Sequence, residues 1–316
     1  MSNQIATINQ KSLSKASTKE TFSMFLSRDA IKNQINTIVG GKNGNRFMTA
    51  ILSAVSTNSA LQECDHSSII SGALLGESLN LSPSPQLGQY YLVPFKNTKE
   101  NKTVATFVLG FKGYIQLAIR SGFYKTINVL AIKDGELVSY NPLTEELDIK
   151  IIEDDEEREN AKTIGYYAMF EYHNGFRKAI YWSKKKMLSH ADKYSKAFSL
   201  KGVVSDDIKK SRVSYEDFEN GNYPQTDAWK YSSFWYQNFD EMALKTMLRQ
   251  LISKWGIMSI DLQKAYESDN SMIDQNLNPS FVENENYVEN QTNSTVENLE
   301  SNDTIVINED DPFNDK

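Results

Sequence analysis

The chain of 316 residues is 40% hydrophobic and 11% aromatic, which is enough to bury a core and excludes a wholly disordered protein. It has no apolar run long enough to cross a membrane, and residues 1–20 lack the apolar segment of a secretion signal. Cys64 is the only cysteine, so no internal disulfide is expected, which fits a reducing cytoplasm.

The net charge of −7 is unevenly distributed. Residues 267–316 contain 13 acidic residues and one basic residue, which gives this segment −12 and leaves +5 for residues 1–266. An acidic protein can still bind nucleic acid, because the field that matters is that of the binding surface. We therefore predict a mildly basic core followed by an acidic, disordered tail.

The first predicted elements in chain order are helices. Residues 1–19 are polar and are expected to be flexible. Apolar residues then recur at helical spacing until glycine or proline ends the run. The predicted helices cover residues 20–39 before Gly40-Gly41, residues 46–57, and residues 67–80 before Ser82-Pro83-Ser84-Pro85.

The middle of the chain is rich in Tyr, Val, Ile and Phe, the composition of strands. Asn174-Gly175 is a strong hairpin signal between two of them. A short helix interrupts the series at residues 113–121, and the acidic residues 154–159 are predicted to be a solvated loop. The predicted strands cover residues 89–95, 103–109, 126–133, 147–152, 163–172 and 176–182.

The C-terminal third returns to helices. Ser183 is a candidate N-cap for a helix that begins with Lys184, and residues 234–254 carry the clearest helical stripe. Between them, residues 200–228 form a long polar loop that is either mobile or ordered by a ligand. These elements predict an α+β protein with an antiparallel β core flanked by helices. We expect three segments, a flexible residues 1–19, a core of residues 20–266, and a disordered acidic tail of residues 267–316.

Patterns typical of catalysis are missing from the sequence. Residues 40–46 lack the spacing and the Lys-Ser/Thr ending of a phosphate-binding P-loop. His66, His173 and His190 have no partner at metal-ligand spacing. We therefore predict that the protein is not an enzyme and uses no cofactor, neither ATP nor a protein-bound metal. A carboxylate site assembled from distant segments stays open as an alternative.

Three segments place basic residues beside aromatic residues or glycines. Glycines at a strand-to-helix junction would let the backbone approach a ligand, and the helix N-terminus would favour a phosphate. Together the segments predict a surface that follows a nucleic-acid backbone and stacks bases on rings, with Trp182 as a further candidate ring. The candidate DNA-binding residues are Phe111, Lys112, Tyr114 and Arg120 at the junction, Lys184, Lys186 and Lys196 with the neighbouring Lys193, and Lys245 and Arg249 on one helix face.

Each segment also has an ordinary structural interpretation. The junction could be a tight turn with a core Phe111 and a solvated Lys112. The lysine run could be a solvated helix face. Glu241 precedes Lys245 by four residues and could form an intrahelical ion pair, which contributes only about 0.3–0.5 kcal/mol.

Several motifs also follow one another in a recognisable order. In that order they resemble the RecT family of phage and prophage recombinases, which are single-strand annealing proteins, over roughly residues 20–265. The motifs are residues 73–83 (Ala-Leu-Leu-Gly-Glu-Ser-Leu-Asn-Leu-Ser-Pro), residues 87–95 ending in Tyr-Tyr-Leu-Val-Pro-Phe, residues 110–122 with Gly-Phe-Lys-Gly and Ala-Ile-Arg-Ser-Gly, Ser195-Lys196-Ala197, Trp229, and Glu241-Met242-Ala243 followed by Lys245-Thr246 and Arg249.

The resemblance implies an activity that composition and spacing alone do not. It implies a β-β-β-α-like core, a ring or helical-filament homo-oligomer, binding of single-stranded DNA and of annealed duplex DNA, and ATP-independent annealing in homologous recombination. It also implies a partner exonuclease and the cytoplasm of a bacterial host cell. Magnesium would act on the DNA and not at a protein site. The segment between Ala197 and Trp229 is longer than in compact members, so no role is carried over to it.

Three other functions compete with annealing: a passive protein that protects single-stranded DNA, a metal-dependent nuclease with dispersed carboxylates, and a phage structural protein. The tail ends in Glu309-Asp310-Asp311-Pro312-Phe313. This resembles the acidic Pro-Phe tip by which bacterial single-strand-binding proteins recruit partners. Mimicry of that tip, with the host single-strand-binding protein as a partner, stands beside two other roles for the tail, solubility and competition with DNA.

Overall fold

The computed structural model describes residues 20–97, 101–195, 197–205 and 211–281. Helices open this part of the chain, as the periodicity predicts. The predicted first helix is divided in two, because the backbone is extended at Arg28 (φ −65°, ψ 134°). The elements are α1 (Phe22–Leu26), α2 (Asp29–Val39), α3 (Gly41–Thr57), a 3-10 helix (Ser59–Glu63) and α4 (His66–Ser78).

The middle of the chain contains the predicted hairpins and one unpredicted strand, β4. Residues 154–159 were expected to be a loop and instead form most of a helix, which the Asp154 side chain caps by accepting from the Glu157 amide at 2.7 Å. The elements are β1 (Tyr90–Asn97), β2 (Lys102–Leu109), α5 (Phe111–Arg120), β3 (Tyr124–Lys133), β4 (Leu137–Asn141), β5 (Glu146–Ile149), α6 (Asp155–Asn160), β6 (Thr163–Tyr172) and β7 (Arg177–Ser183).

The last part of the described chain is richer in structure than its sequence predicts. Ser183 caps its helix as expected, accepting from the Lys186 amide at 3.2 Å. The single helix predicted over residues 234–254 is interrupted at Asn238 (φ −140°, ψ 58°). The elements are α7 (Lys184–Tyr194), α8 (Tyr215–Glu219), a 3-10 helix (Gln225–Tyr231), α9 (Phe234–Gln237), α10 (Phe239–Trp255), α11 (Ile260–Ser268), β8 (Ser271–Ile273) and β9 (Pro279–Phe281).

The strands form two antiparallel sheets and a separate hairpin. The first sheet has the order β1-β2-β8-β9, with Tyr90 opposite Leu109 and Phe107 opposite Ser271. The second has the order β3-β6-β7, and β4 pairs with β5. The predicted α+β class with antiparallel sheets is therefore confirmed.

Helix α10 joins two hydrophobic clusters. Its Leu248 and Ile252 pack with the first sheet and helices α1–α5 and α11. Its Met247 and Leu251 pack with the second sheet and α7. A helix that is buried on two sides keeps only a narrow polar strip. The polar side chains on α10 therefore lie beside other parts of the fold.

Aromatic side chains fill the space around residues 200–228. Tyr215 and Phe218 of α8 pack against Phe198 and Tyr236, with ring centroids 4.9–5.1 Å apart for the closest pairs. Tyr231 stacks on Phe218 at 4.9 Å. This segment was predicted to be a mobile or ligand-ordered loop, and its described residues are ordered by their own rings instead. Residues 206–210 lie outside the described residues.

The predicted boundary of the disordered tail at residue 267 is wrong. Ser268, Asp269 and Ser271 are each at most 1% exposed, and β8 and β9 complete the first sheet. Composition misplaced the boundary because Asn, Asp and Ser dominate this stretch. Residues 20–281 carry a net charge of −1, residues 1–19 carry +3 and residues 282–316 carry −9. The predictions for residues 1–19 and 282–316 concern residues outside those that the structure describes.

Candidate nucleic-acid interface

A buried ion cluster lies where α5, α10 and the end of α11 meet. The Asp269 carboxylate accepts a hydrogen bond from Lys245 Nζ and another from the Leu109 amide, both at 2.9 Å. Arg249 lies 3.5 Å from the same carboxylate, and the Tyr114 hydroxyl donates to it at 3.4 Å. The side chain of Asp269 is 0% exposed and that of Lys245 is 7% exposed.

This cluster contains three of the predicted DNA-binding residues and corrects the role predicted for Tyr114. Tyr114 is 0% exposed, so its ring cannot stack on a base. Burial, and then the Asp269 carboxylate, raise the pKa of Tyr114 well above its ordinary value, so it stays neutral. Lys245 is buried against Asp269, and Arg249 lies between Asp269 and the Tyr266 ring, 4.9 Å from its centroid. The structure therefore places Tyr114 inside the fold, and it engages Lys245 and Arg249 with Asp269, although Lys245 also borders the cleft that Phe111 lines.

The glycines of the strand-to-helix junction also serve the fold. A Cβ on Gly110 would collide with the carbonyl oxygen of Gly88, and a Cβ on Gly113 with that of Gln89. The Gly110 amide donates to the Gln89 carbonyl at 2.9 Å. The close approach expected of these glycines therefore exists, but the group approached is the start of β1 and not a ligand.

The side chains between those glycines do reach the surface. Lys112 is exposed, and its ammonium lies 5.8 Å from the centroid of the half-buried Phe111 ring. Phe111 also lines a shallow cleft together with Tyr91, Phe234 and Met242. These two predicted residues remain candidates for contact with DNA, beside the first-turn amides of α5, which have no partner within the helix.

Arg120 is exposed at the end of α5 but is already engaged. Its guanidinium donates to the carbonyl of Leu79 at 2.5 Å and to that of Asn80 at 3.3 Å. These carbonyls lie at the C-terminal end of α4, which has no further helical turn to satisfy them. The geometry explains Arg120 as a cap that joins α5 to α4, and any contact with DNA would compete with this role.

One face of α7 combines basic and aromatic side chains. Lys186, His190 and Tyr194 follow one another at spacings of four, so they lie on the same helical face. The His190 ring lies 5.2 Å from the Trp182 ring of β7 and 4.5 Å from that of Tyr194. Lys186 Nζ lies 4.4 Å from the Trp182 centroid, and Lys193 Nζ lies 5.1 Å from the Tyr194 centroid. The name α7 face is used hereafter for Lys186, His190, Lys193 and Tyr194 of α7 together with Trp182 of β7.

The α7 face is electropositive enough to change the titration of its histidine. Burial is the largest cause, and the charges of Arg249, Lys186, Lys193 and Lys254 add to it, so the pKa of His190 falls to about 4. The histidine is thus neutral near pH 7. A surface with this balance favours an anion.

Two other lysines that were predicted to bind DNA, Lys184 and Lys196, have different outcomes. Lys184 pairs with Glu219 at 2.9 Å and lies 5.9 Å from the Phe239 centroid, so it ties α7 to α8 and α10. Lys196 lies outside the described residues. In the sequence, His190 stands out only as a possible metal ligand, and it has no partner at metal-ligand spacing. The spacing of Lys186, His190 and Tyr194 can be read from the sequence as a shared helical face. The nearness of the α10 cations to His190 cannot.

Neither a metal site nor a membrane span is found in the part of the chain that the structure describes. No group of three or more His, Cys, Asp and Glu side chains there is arranged to hold a metal ion. None of the helices there combines the length and the apolar character that a membrane crossing requires.

The architecture and the α7 face define an α+β protein with a lysine- and aromatic-rich surface, the composition typical of proteins that bind single-stranded nucleic acid. Residues 45–287 match the model of the RecT family, and the chain belongs to that family. It is 39% identical over 225 residues to Uncharacterized protein YqaK of Bacillus subtilis (strain 168), an alignment that covers 71% of this chain and 64% of that protein. It is 27% identical over 212 residues to Protein RecT of Escherichia coli (strain K12), covering 66% of this chain and 65% of that protein. The chain thus spans just under two thirds of the length of these relatives.

Proposed function

We propose that the protein binds single-stranded DNA through the α7 face and anneals complementary strands in phage-type recombination without ATP. The observation that carries this proposal is the alternation of cations and rings on the α7 face. Lysines attract phosphates whatever the sequence, and rings stack on any base, at roughly 1–3 kcal/mol per base. Membership of the RecT family supports the step from binding to recombination.

The proposed mechanism needs no ATP. Base pairing and stacking make annealing downhill, so the protein has only to hold strands extended and retain the new duplex. One subunit offers few phosphate contacts, namely Lys186 and Lys193 on the α7 face and Lys112 at the α5 junction. A homo-oligomer would align many such weak sites along one strand, and their contributions would add through effective concentration.

The binding step is tested with a double variant, Lys186→Ala with Lys193→Ala. Single-stranded oligonucleotide affinity is measured by fluorescence anisotropy over a range of salt concentrations. Each lost phosphate contact lowers the salt dependence by about 0.7 on the logarithmic scale, so the double variant should lose roughly 1.4. The matched control is Lys150→Ala with Lys162→Ala, two exposed lysines that are not part of the α7 face. Equal affinity and slope in the two double variants would contradict the proposed surface.

The annealing step is tested with two complementary labelled oligonucleotides and no nucleotide. The wild type should accelerate pairing, and the α7 double variant should do so less. Slower pairing than in buffer would show a passive single-strand-binding protein instead. Loss of labelled DNA on addition of magnesium would show a nuclease, and no binding at all would favour a structural protein.

A further inference from the structure

His190 lies at the centre of the α7 face and has a partly exposed ring. Its two ring neighbours, Trp182 and Tyr194, pack at 5.2 Å and 4.5 Å and supply no charge. An imidazole held between rings keeps a fixed position, and an edge that remains in contact with solvent can meet a ligand. The side chain is therefore placed as a binding group would be, between a base-stacking ring and the lysines that attract the backbone.

The charged groups that face His190 come from two elements and have the same sign. Lys186 and Lys193 lie on α7 itself. Arg249 and Lys254 lie on α10, near enough for their charges to act on His190. Asp269 offsets part of the Arg249 charge at 3.5 Å. The strands that pack against α7 are β6 and β7, and β7 places the uncharged Trp182 beside the His190 ring. A proton on His190 is thus opposed by cations in the free protein.

A phosphate that docks among these lysines reverses the electrostatic preference for a neutral His190. Its negative charge lies beside the histidine and offsets the neighbouring cations, so the charged imidazole becomes favourable. A charged imidazole is also a stronger hydrogen-bond donor to a phosphate oxygen than a neutral one. The same geometry therefore disfavours the proton without DNA and favours it with DNA.

We propose that His190 binds a DNA phosphate directly and takes up a proton as it does so, which makes DNA binding dependent on pH. This inference rests on the proposed binding of DNA at the α7 face. By linkage, affinity rises as pH falls wherever the complex holds more protons than the free protein. One coupled histidine gives at most about a tenfold increase in affinity per pH unit.

The pKa of about 4 that His190 has in the free protein is the lower limit of the pH range in which DNA affinity can change through this residue. Above the pKa of His190 in the complex, affinity should not depend on this residue. Between the two values it should rise as pH falls. We expect the change over about pH 5.5 to 8, the range in which a histidine beside an anion titrates.

The test compares His190→Gln with His173→Gln in the full chain. His173 lies exposed in the turn between β6 and β7, and the chain has three histidines in total. Affinity for a single-stranded oligonucleotide of mixed sequence is measured at intervals over that pH range at constant salt. Wild type and His173→Gln should bind more tightly toward acid. His190→Gln should lose the acid-side gain, so that its affinity deficit relative to wild type is largest near pH 5.5 and smallest near pH 8.

Proton uptake gives a second readout that a merely structural role would not change. Calorimetric binding in buffers of different ionisation enthalpy should show net proton uptake near pH 6 for the wild type and less for His190→Gln. Equal pH profiles and equal uptake in the two variants would overturn the inference while leaving DNA binding intact. If the wild type fails to bind at any pH, the proposed function fails instead. If His190→Gln loses binding at every pH but melts as the wild type does, His190 is a ligand without proton coupling, and the inference is also overturned.

Discussion

Asp269 provides a direct test of the fold, because one carboxylate faces two cations. Asp269→Asn keeps the size of the side chain and an oxygen that can accept from the Leu109 amide, now at 2.9 Å. It removes the charge opposite Lys245 and Arg249, whose side chains are only 7% and 20% exposed. Leaving a buried charge without its partner costs roughly 3–5 kcal/mol. For a domain of this size we expect a Tm lower by about 6–20 °C.

The assay is thermal unfolding followed by circular dichroism, with two companion variants. Glu267→Gln is the control, since it removes an exposed acidic residue two positions earlier and should change stability by less than about 0.5 kcal/mol. Lys245→Met removes one cation and leaves Arg249 with its partner. Combining Lys245→Met with Asp269→Asn should cost less than the sum of the two single changes, because the groups interact directly.

Two results would refute this reasoning. If Asp269→Asn melts at the wild-type temperature, the cluster does not hold the fold. If Lys245→Met keeps its Tm but loses DNA affinity and salt dependence, Lys245 is a phosphate ligand and its buried pairing is not its main role.

Three further predictions concern backbone packing, pH and the end of the fold. Gly113→Ala should destabilise by roughly 1–3 kcal/mol in urea unfolding, because its Cβ would collide with the backbone carbonyl of Gln89. Burial would raise the pKa of Glu136, but Arg158 and two backbone amides lower it overall, so Glu136→Gln should destabilise near neutral pH, and the difference from wild type should shrink below about pH 4. Ending the chain after residue 281 should leave the Tm unchanged, whereas ending it after residue 266 removes Asp269 and β8 and should unfold the protein at a markedly lower temperature.

Local elements could be predicted from the sequence because their causes are local. The β6–β7 hairpin follows from alternating side chains and Asn174-Gly175, and Gly175 has the positive φ of 87° that the turn requires. The Ser183 cap follows from the residue type and its position before a helix. The helix over residues 234–254 was predicted as one element because its apolar stripe is continuous across Asn238, where the backbone leaves the helix.

The candidate site was harder to predict because its contacts are distant in sequence. Lys245 and Arg249 share a helix face, which is equally consistent with binding a phosphate and with binding a carboxylate. The decision depends on Asp269, which composition had assigned to the tail. For the same reason the spacing of Lys186, His190 and Tyr194 is visible in the sequence, but the approach of Lys254 from α10 is not.

The position of Asp269 also changes how the charge of the protein should be understood. Extending the core from residue 266 to residue 281 lowers its charge from +5 to +2, and residues 20–281, without the +3 of residues 1–19, carry −1. A nearly neutral fold attracts DNA only through local asymmetry, since salt screens charges beyond about 8 Å at physiological ionic strength. Lys245 offsets Asp269 within the interior and adds little to the outer field. The cations left to attract a phosphate are those with no carboxylate close by, and on the α7 face Lys186 and Lys193 rest on rings instead. Affinity should therefore follow the number of these local contacts and not the net charge of the chain.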